Sequence, residues 1–338
     1  MAIIWKKNWG EDNVIFRTLR IITLIFGVLP LFLFEAQPAA KVPQIGVLLV
    51  GNEAGPGLKA FRQGLHDLGY IEGKNITIEY RFAKGKPEGI SDLVADLVHH
   101  KVDVIVTAGT AQAQAIQQAT TTIPIVLAVS GDPVGTGVVA SLARPGGNIT
   151  GLSMISPELS GKRLELLKEA APKVGRVGVL WDSLVPDNTL DFKTTQLAAR
   201  ALGLKLQSLE VRGVEDLEGA FSVTVKQQLN ALVVIGGGVV NSHQKRILAF
   251  EARNRLPVMH EQLWFAEAGG LMAYGVNFPD LFRRSATYVD KILKGRKPAD
   301  LPVEQPKKFE FVINLKTAQQ IGLTIPQSVL YRADKVIK

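Results

Sequence analysis

The 338-residue sequence carries 39 Lys and Arg against 31 Asp and Glu, is 46% hydrophobic and contains no cysteine. That apolar share excludes a wholly disordered chain, and the length suggests about two domains. The missing cysteine excludes a disulfide scaffold, a cysteine-ligated metal site and a thiol nucleophile. The formal charge of +8 is scattered along helical segments, and its densest cluster, Lys294-Gly295-Arg296-Lys297, is too short for a nucleic-acid tract.

Lys6, Lys7, Arg17 and Arg20 precede an apolar run at 21–34, and Ala36-Gln37-Pro38-Ala39-Ala40 follows. A basic region, a short apolar run and small residues are the layout of a secretory signal peptide, so residues 1–40 are expected to direct export or to serve as an anchor. The run is short for a membrane span, which needs about 20 residues.

Beyond the leader the chain echoes itself. Ile45-Gly46-Val47-Leu48-Leu49 opens the first half, and its following helix ends at Leu68-Gly69. Val177-Gly178-Val179-Leu180-Trp181 opens the second, with a helix ending at Leu202-Gly203. Val102-Asp103-Val104-Ile105-Val106 corresponds to Ala231-Leu232-Val233-Val234-Ile235, and Ile123-Pro124-Ile125-Val126 to Leu256-Pro257-Val258-Met259. The run from Gly146 to Gly151 parallels that from Gly269 to Gly275. Most of these pairs recur in order at a near-constant offset, the signature of two similar domains.

Unbroken apolar runs suit strands covered on both faces. Between them Ile90, Leu93, Val94, Leu97 and Val98 repeat with helical spacing. The alternation predicts an α/β fold of two doubly wound parallel-sheet lobes. Pro157-Glu158 and Pro279-Asp280 read as helix starts, and Gly69, Gly203 and Gly295 as helix ends. A helix near 279–294, a proline-rich stretch at 298–306, a strand near 309–313 and a terminal helical region complete the chain. They are expected to pass back between the lobes as a multi-strand hinge. The expected lobes are 41–152 plus about 277–300 and 153–276 plus about 301–338.

In such sheets ligands bind beyond the carboxyl ends of the strands. Those ends offer Gly109-Thr110, Ser130 and Asp132 in the first half, and Gly237, His260-Glu261 and Tyr274 in the second. Gly109 lets a ligand approach the backbone, while Thr110 is placed to cap a helix whose free N–H groups attract an anion. Gly236-Gly237-Gly238 either cradles a ligand or forms a turn, and lacks the Lys-Ser/Thr of a phosphate loop. Asp132 suits a ligand ammonium or a turn before Pro133. Tyr274, Trp181 and Trp264 offer stacking faces or core packing. Nothing calls for a cofactor or a metal. No H-x-x-x-H or G-x-S-x-G occurs, which leaves His260 and Glu261 as the one acid/base pair an enzyme would use.

Several motifs in order resemble the tryptophan/tyrosine-type ABC transporter substrate-binding proteins. They run from Phe61-Arg62-Gln63-Gly64-Leu65 and Leu68-Gly69-Tyr70-Ile71-Glu72-Gly73-Lys74-Asn75-Ile76 to Gly131-Asp132-Pro133-Val134-Gly135-Thr136-Gly137. Ser141-Leu142-Ala143-Arg144-Pro145-Gly146-Gly147-Asn148-Ile149-Thr150-Gly151, Pro157-Glu158-Leu159-Ser160-Gly161-Lys162-Arg163-Leu164 and Glu267-Ala268-Gly269-Gly270-Leu271-Met272 follow. The resemblance implies a type I periplasmic binding-protein fold whose lobes close on a small polar or aromatic, amino-acid-like metabolite. It implies delivery to a membrane permease driven by a cytoplasmic ATPase, and a periplasmic or extracellular location. Carried over by motif, Gly109, Thr110, Ser130 and Asp132 would line the cleft from one lobe, and Gly237, His260 and Tyr274 from the other. The sequence departs from the family at Gly236-Gly237-Gly238, where relatives often carry Ser-Asp or Gly-Asp before a proline. A monomer without a nucleic-acid partner is expected. The alternatives are a membrane-anchored ligand-sensing module and an α/β enzyme.

Overall fold

The computed structural model describes residues 41–50, 55–83 and 89–338. The leader expected at 1–40 lies outside the described residues, among which no helix is long and apolar enough to cross a membrane.

The first sheet is parallel in the order β2-β1-β3-β4-β5, formed by β1 (Gln44–Leu49), β2 (Thr77–Phe82), β3 (Val104–Ala108), β4 (Ile125–Val129) and β5 (Ile149–Gly151). Period-two geometry divides the apolar residues between its faces. Ile45, Val47, Val104, Val106 and Val126 join Leu58, Phe61 and Leu65 of α1 (Pro56–Asp67) in one core. Leu48, Ile105, Ile125 and Leu127 meet Ile90, Val94 and Leu97 of α2 (Ile90–His99) and Ile116 of α3 (Thr110–Ala119) in the other. Both faces are thus covered, which is why the central strands read as continuous apolar runs.

The second sheet runs β12-β11-β10-β9-β8-β6-β7. Its strands are β6 (Arg176–Asp182), β7 (Lys205–Val211), β8 (Ala231–Val234), β9 (Val258–His260), β10 (Met272–Gly275), β11 (Glu310–Asn314) and β12 (Lys335–Ile337). The helices between them are α4 (Ser156–Ala170), α5 (Pro186–Ala201), α6 (Asp216–Lys226), α7 (Gly238–Ser242), α8 (Gln244–Arg253) and α9 (Leu263–Glu267). Two doubly wound lobes are therefore present, as the alternation predicts. This sheet is not wholly parallel, because β11 runs antiparallel to β10.

Helix α10 (Phe278–Leu293) leaves β10 and packs back on the first lobe. Leu281, Phe282, Ala286 and Val289 fall on one face and enter that lobe's core. Gly64 permits the contact: a Cβ there would lie 2.5 Å from the Arg283 carbonyl. The chain crosses between the lobes at 152–155, 276–277 and 304–309. The first and third crossings are tied together: Ser153 N–H donates to the Glu304 carbonyl and Glu304 N–H to the Gly151 carbonyl, both at 2.9 Å. Ile155, at the end of the first crossing, has φ 48° and ψ 42°, a left-handed conformation that a β-branched residue rarely takes. The terminal region holds α11 (Leu315–Ile321), α12 (Gln327–Leu330) and then β12, a strand where a helical region is expected.

Candidate functional site

Where the carboxyl ends of the two sheets face each other, polar side chains are buried. On the first lobe, Gly109 takes φ 100° as the residue before α3 and donates its N–H to the Val129 carbonyl at 2.7 Å. This brings Thr110, fully buried, against Ser130, with 3.0 Å between the hydroxyl oxygens. The cap position of α3 is Gly109, so Thr110 does not cap the helix. Its hydroxyl instead also bonds the carboxylate of Asp187, on the other lobe.

Asp187 lies in the first turn of α5, after Pro186, where an acid complements the helix dipole. Its Oδ1 accepts the Asp132 N–H across the lobe boundary at 2.7 Å. Burial pushes the Asp187 carboxyl up from its ordinary range, against the pull of the Thr110 hydroxyl and the Asp132 amide. One turn on, Asp191 accepts a hydrogen bond from the Ser160 hydroxyl at 2.7 Å. Burial and the neighbouring Glu261 charge raise it to about 7.

Arg163, 2% exposed on α4, anchors the cluster. Its Nε donates to the Tyr274 carbonyl at 2.9 Å and its Nη2 to Glu261 Oε1 at 3.3 Å, while Nη1 stands 3.9 Å from Asp191. Glu261 also accepts from the Ser156 hydroxyl at 2.5 Å and from the Gly236 N–H at 2.7 Å. Beside this seam Met154, Leu159, Val276 and Phe278 join Arg163 and Glu261 around a crevice too narrow, as the lobes stand, to admit a water molecule.

The glycine run is occupied by the protein's own carboxylate. Asp182 accepts the N–H groups of Val239 at 3.0 Å and Leu184 at 3.1 Å, and a Cβ on Gly237 would lie 2.5 Å from the Asp182 Cβ. Burial raises Asp182 while the backbone amides hold it down. Gly236-Gly237-Gly238 therefore forms a turn around an internal anion.

The structure brings Gly109, Thr110 and Ser130 to the seam and places Gly237 beside it. It places the others elsewhere. Asp132 contributes its backbone N–H to the seam, whereas its carboxylate accepts the Val134 and Gly135 amides of its own turn. His260 is buried inside the second lobe, 3.2 Å from Glu251 and stacked on Phe265. Tyr274 packs its ring near Phe309 and Phe311 and gives only its carbonyl to Arg163. Trp181 stacks on Phe192, and Trp264 meets Phe278 edge to face. His260 bonds Glu251, whereas Glu261 bonds Ser156, Arg163 and the Gly236 amide, so the two do not form an acid/base pair. Arg163, Asp187 and Asp191 are the buried seam residues that sequence reasoning misses. Among the described residues no group of His, Cys, Asp and Glu could hold a metal ion.

Two α/β lobes crossed three times by the chain, with a sealed polar seam between the carboxyl ends of their strands, define a type I periplasmic binding protein. Residues 51–337 match the family described as ABC transporter substrate binding protein, and the chain belongs to that family. The family is one of substrate binding: its members hold small molecules outside the cytoplasm and work with ABC permeases. A "Tyrosine-binding protein" from Clostridioides difficile (strain R20291) is 26% identical over 266 residues, 78% of this chain and 76% of that protein. The crystal structure of an ABC domain in complex with L-Trp from Streptococcus pneumonia is 28% identical and covers 87% of this chain and 99% of its own, with a TM-score of 0.82. A ligand-free, open substrate-binding protein with adhesive properties from Clostridium difficile is 26% identical over 88% of this chain and 100% of its own. Its TM-score is 0.63. At similar identity and coverage, the arrangement here follows the L-Trp complex more closely than the open form, in keeping with the bonds across the seam.

Proposed function

We propose that this chain is the substrate-binding component of an ABC importer and closes its lobes over an amino acid, with an aromatic side chain preferred. The observation that carries the reading is Asp187, a buried carboxylate at the lobe boundary with hydrogen bonds to the opposite lobe and, among the described residues, no cation paired with it. A ligand α-ammonium supplies that cation, and the apolar wall of Met154, Leu159, Val276 and Phe278 suits a hydrophobic side chain. The likeness to a tyrosine-binding protein and to a tryptophan-bound domain supports the same ligand class. Closure follows from the ligand's higher affinity for the closed form, in which both lobes touch it. The exported protein acts as a monomer after its leader has directed it across the membrane.

Isothermal calorimetry with L-tryptophan, L-tyrosine and 3-indolepropionate tests the proposal. The two amino acids are expected to bind and the deaminated analogue to bind at least tenfold more weakly. Asp187→Asn is expected to narrow that difference. Equal affinity for L-tryptophan in the variant and the parent removes Asp187 from ammonium recognition.

A further inference from the structure

Four carboxylates gather at the carboxyl end of the second sheet: Asp182, Asp187, Asp191 and Glu261, none more than 5% exposed. Among the described residues the one cation paired with any of them is Arg163. Buried carboxylates remain ionised only where N–H or O–H donors or a cation compensate them, and here the compensation is uneven. Asp182 has the amides of Val239, Leu184 and Gly238. Glu261 has the Gly236 amide, the Ser156 hydroxyl and the nearer guanidinium nitrogen. Asp191 has the Ser160 and Ser156 hydroxyls, no backbone amide among the described residues, and only the farther guanidinium nitrogen at 3.9 Å, while Asp187 has its own amide together with one amide and one hydroxyl from the opposite lobe. Four carboxylates share one cation, and the shortage falls on Asp191, which is 1% exposed, has no amide donor and lies beside Glu261.

We infer that the site exchanges a proton for the ligand's ammonium group: without a ligand Asp191 holds a proton, and amino-acid entry beside Asp187 expels it to solvent. The inference rests on the reading of Asp187 as the ammonium partner and adds what its binding does to the neighbouring carboxyl of Asp191. The groups facing Asp191 and Asp187 are Arg163, Ser156 and Ser160 of α4, Glu261 after β9, and Thr110 with the Asp132 amide from the first lobe. Only Arg163 among them is cationic. Asp191 is raised by burial and by the Glu261 charge, the direction in which a proton is retained. Asp187 lies one helical turn from Asp191, so an ammonium at Asp187 adds positive charge close to the held proton and favours its loss.

Two measurements test this. Calorimetric titration of L-tryptophan near pH 7, in two buffers of different ionisation enthalpy, is expected to show release of up to one proton per ligand. L-Tryptophan affinity should rise by up to about tenfold per pH unit until the proton is gone, and then level. In Asp191→Asn the release and the slope are expected to disappear. Where that variant does not fold, Ser160→Ala, which deletes a hydroxyl favouring the ionised form, is expected to move the levelling point to higher pH. Binding with the same heat in both buffers and a flat pH profile overturns the exchange and leaves the amino-acid reading standing. The second measurement uses no ligand. A carboxyl raised in the folded protein binds more protons folded than unfolded, so stability falls as pH rises through the interval up to about 7. Urea unfolding of the parent is expected to show that fall and Asp191→Asn to lessen it. Identical slopes overturn the held proton independently of any ligand.

Discussion

Replacing Arg163 with methionine keeps the length of the side chain and deletes its charge. The guanidinium is 2% exposed and serves the Tyr274 carbonyl, Glu261 and Asp191 together. Its loss leaves two buried carboxylates without a cation and a carbonyl without its donor, and removing one partner of a buried ion pair costs about 3–5 kcal/mol. Against a total stability of about 5–15 kcal/mol, that is a large fraction. At about 2–4 °C per kcal/mol, the melting temperature is expected to fall by about 10 °C. The deficit has a sign in pH. The guanidinium is one of the groups holding Asp191 down, so without it Asp191 is raised further in the folded protein, and the deficit grows as pH rises through that window and shrinks on acidification. Adding Glu261→Gln removes one unpaired charge, while the new amide oxygen still accepts the Gly236 N–H, so the double variant is expected to be more stable than Arg163→Met alone. Urea midpoints at pH 5 and 8, with unchanged denaturant slopes, measure all three effects. A deficit below about 1 kcal/mol, or one equal at both pH values, refutes the reasoning.

Thr110→Val is isosteric and deletes the hydroxyl that reaches Ser130 and Asp187; L-tryptophan affinity is expected to fall about tenfold, measured by calorimetry. Gly237→Ala forces a methyl against the Asp182 side chain and is expected to cost about 1–3 kcal/mol in thermal unfolding, with no loss if that contact is absent. His260→Gln removes a buried group bonded to Glu251 and is expected to lower stability by about 1–2 kcal/mol while leaving the L-tryptophan dissociation constant unchanged. A large loss of affinity would return His260 to the ligand site.

The strands that the sequence reveals are those buried on both faces, such as β1, β4 and β8, because a short unbroken apolar run between turn residues is what a doubly covered strand requires and what a loop or a solvent-facing edge avoids. The edge strands β2 and β7 interleave apolar with polar residues, most of them only half-buried, and the three-residue β12 is too short to carry a pattern, so none of them stands out. At the site, glycines and hydroxyls at strand ends are legible from the rule for open α/β sheets, and that rule leads to Thr110 and Ser130. Arg163 and Asp191 lie within helical stretches where a charged residue ordinarily faces water, and only tertiary packing buries them. Asp187 follows a proline at a helix start and so carries the signature of a dipole-favoured first turn. His260 closes β9 and packs on Phe265, while Glu261 opens the turn that follows, and nothing in the sequence marks which of the two faces the seam.

The return of helix α10 to the first lobe also governs how the polypeptide acquires its structure. The apolar face of β1, β3 and β4 is closed by residues 278–293, which are synthesised only after β6 to β10. A nascent chain emerging from its amino end therefore has that face covered only in part, by α1, while the second sheet is being made. Contacts so distant in sequence slow folding and lengthen exposure to aggregation. A truncation before residue 278 should for that reason yield not a smaller soluble lobe but a sticky one.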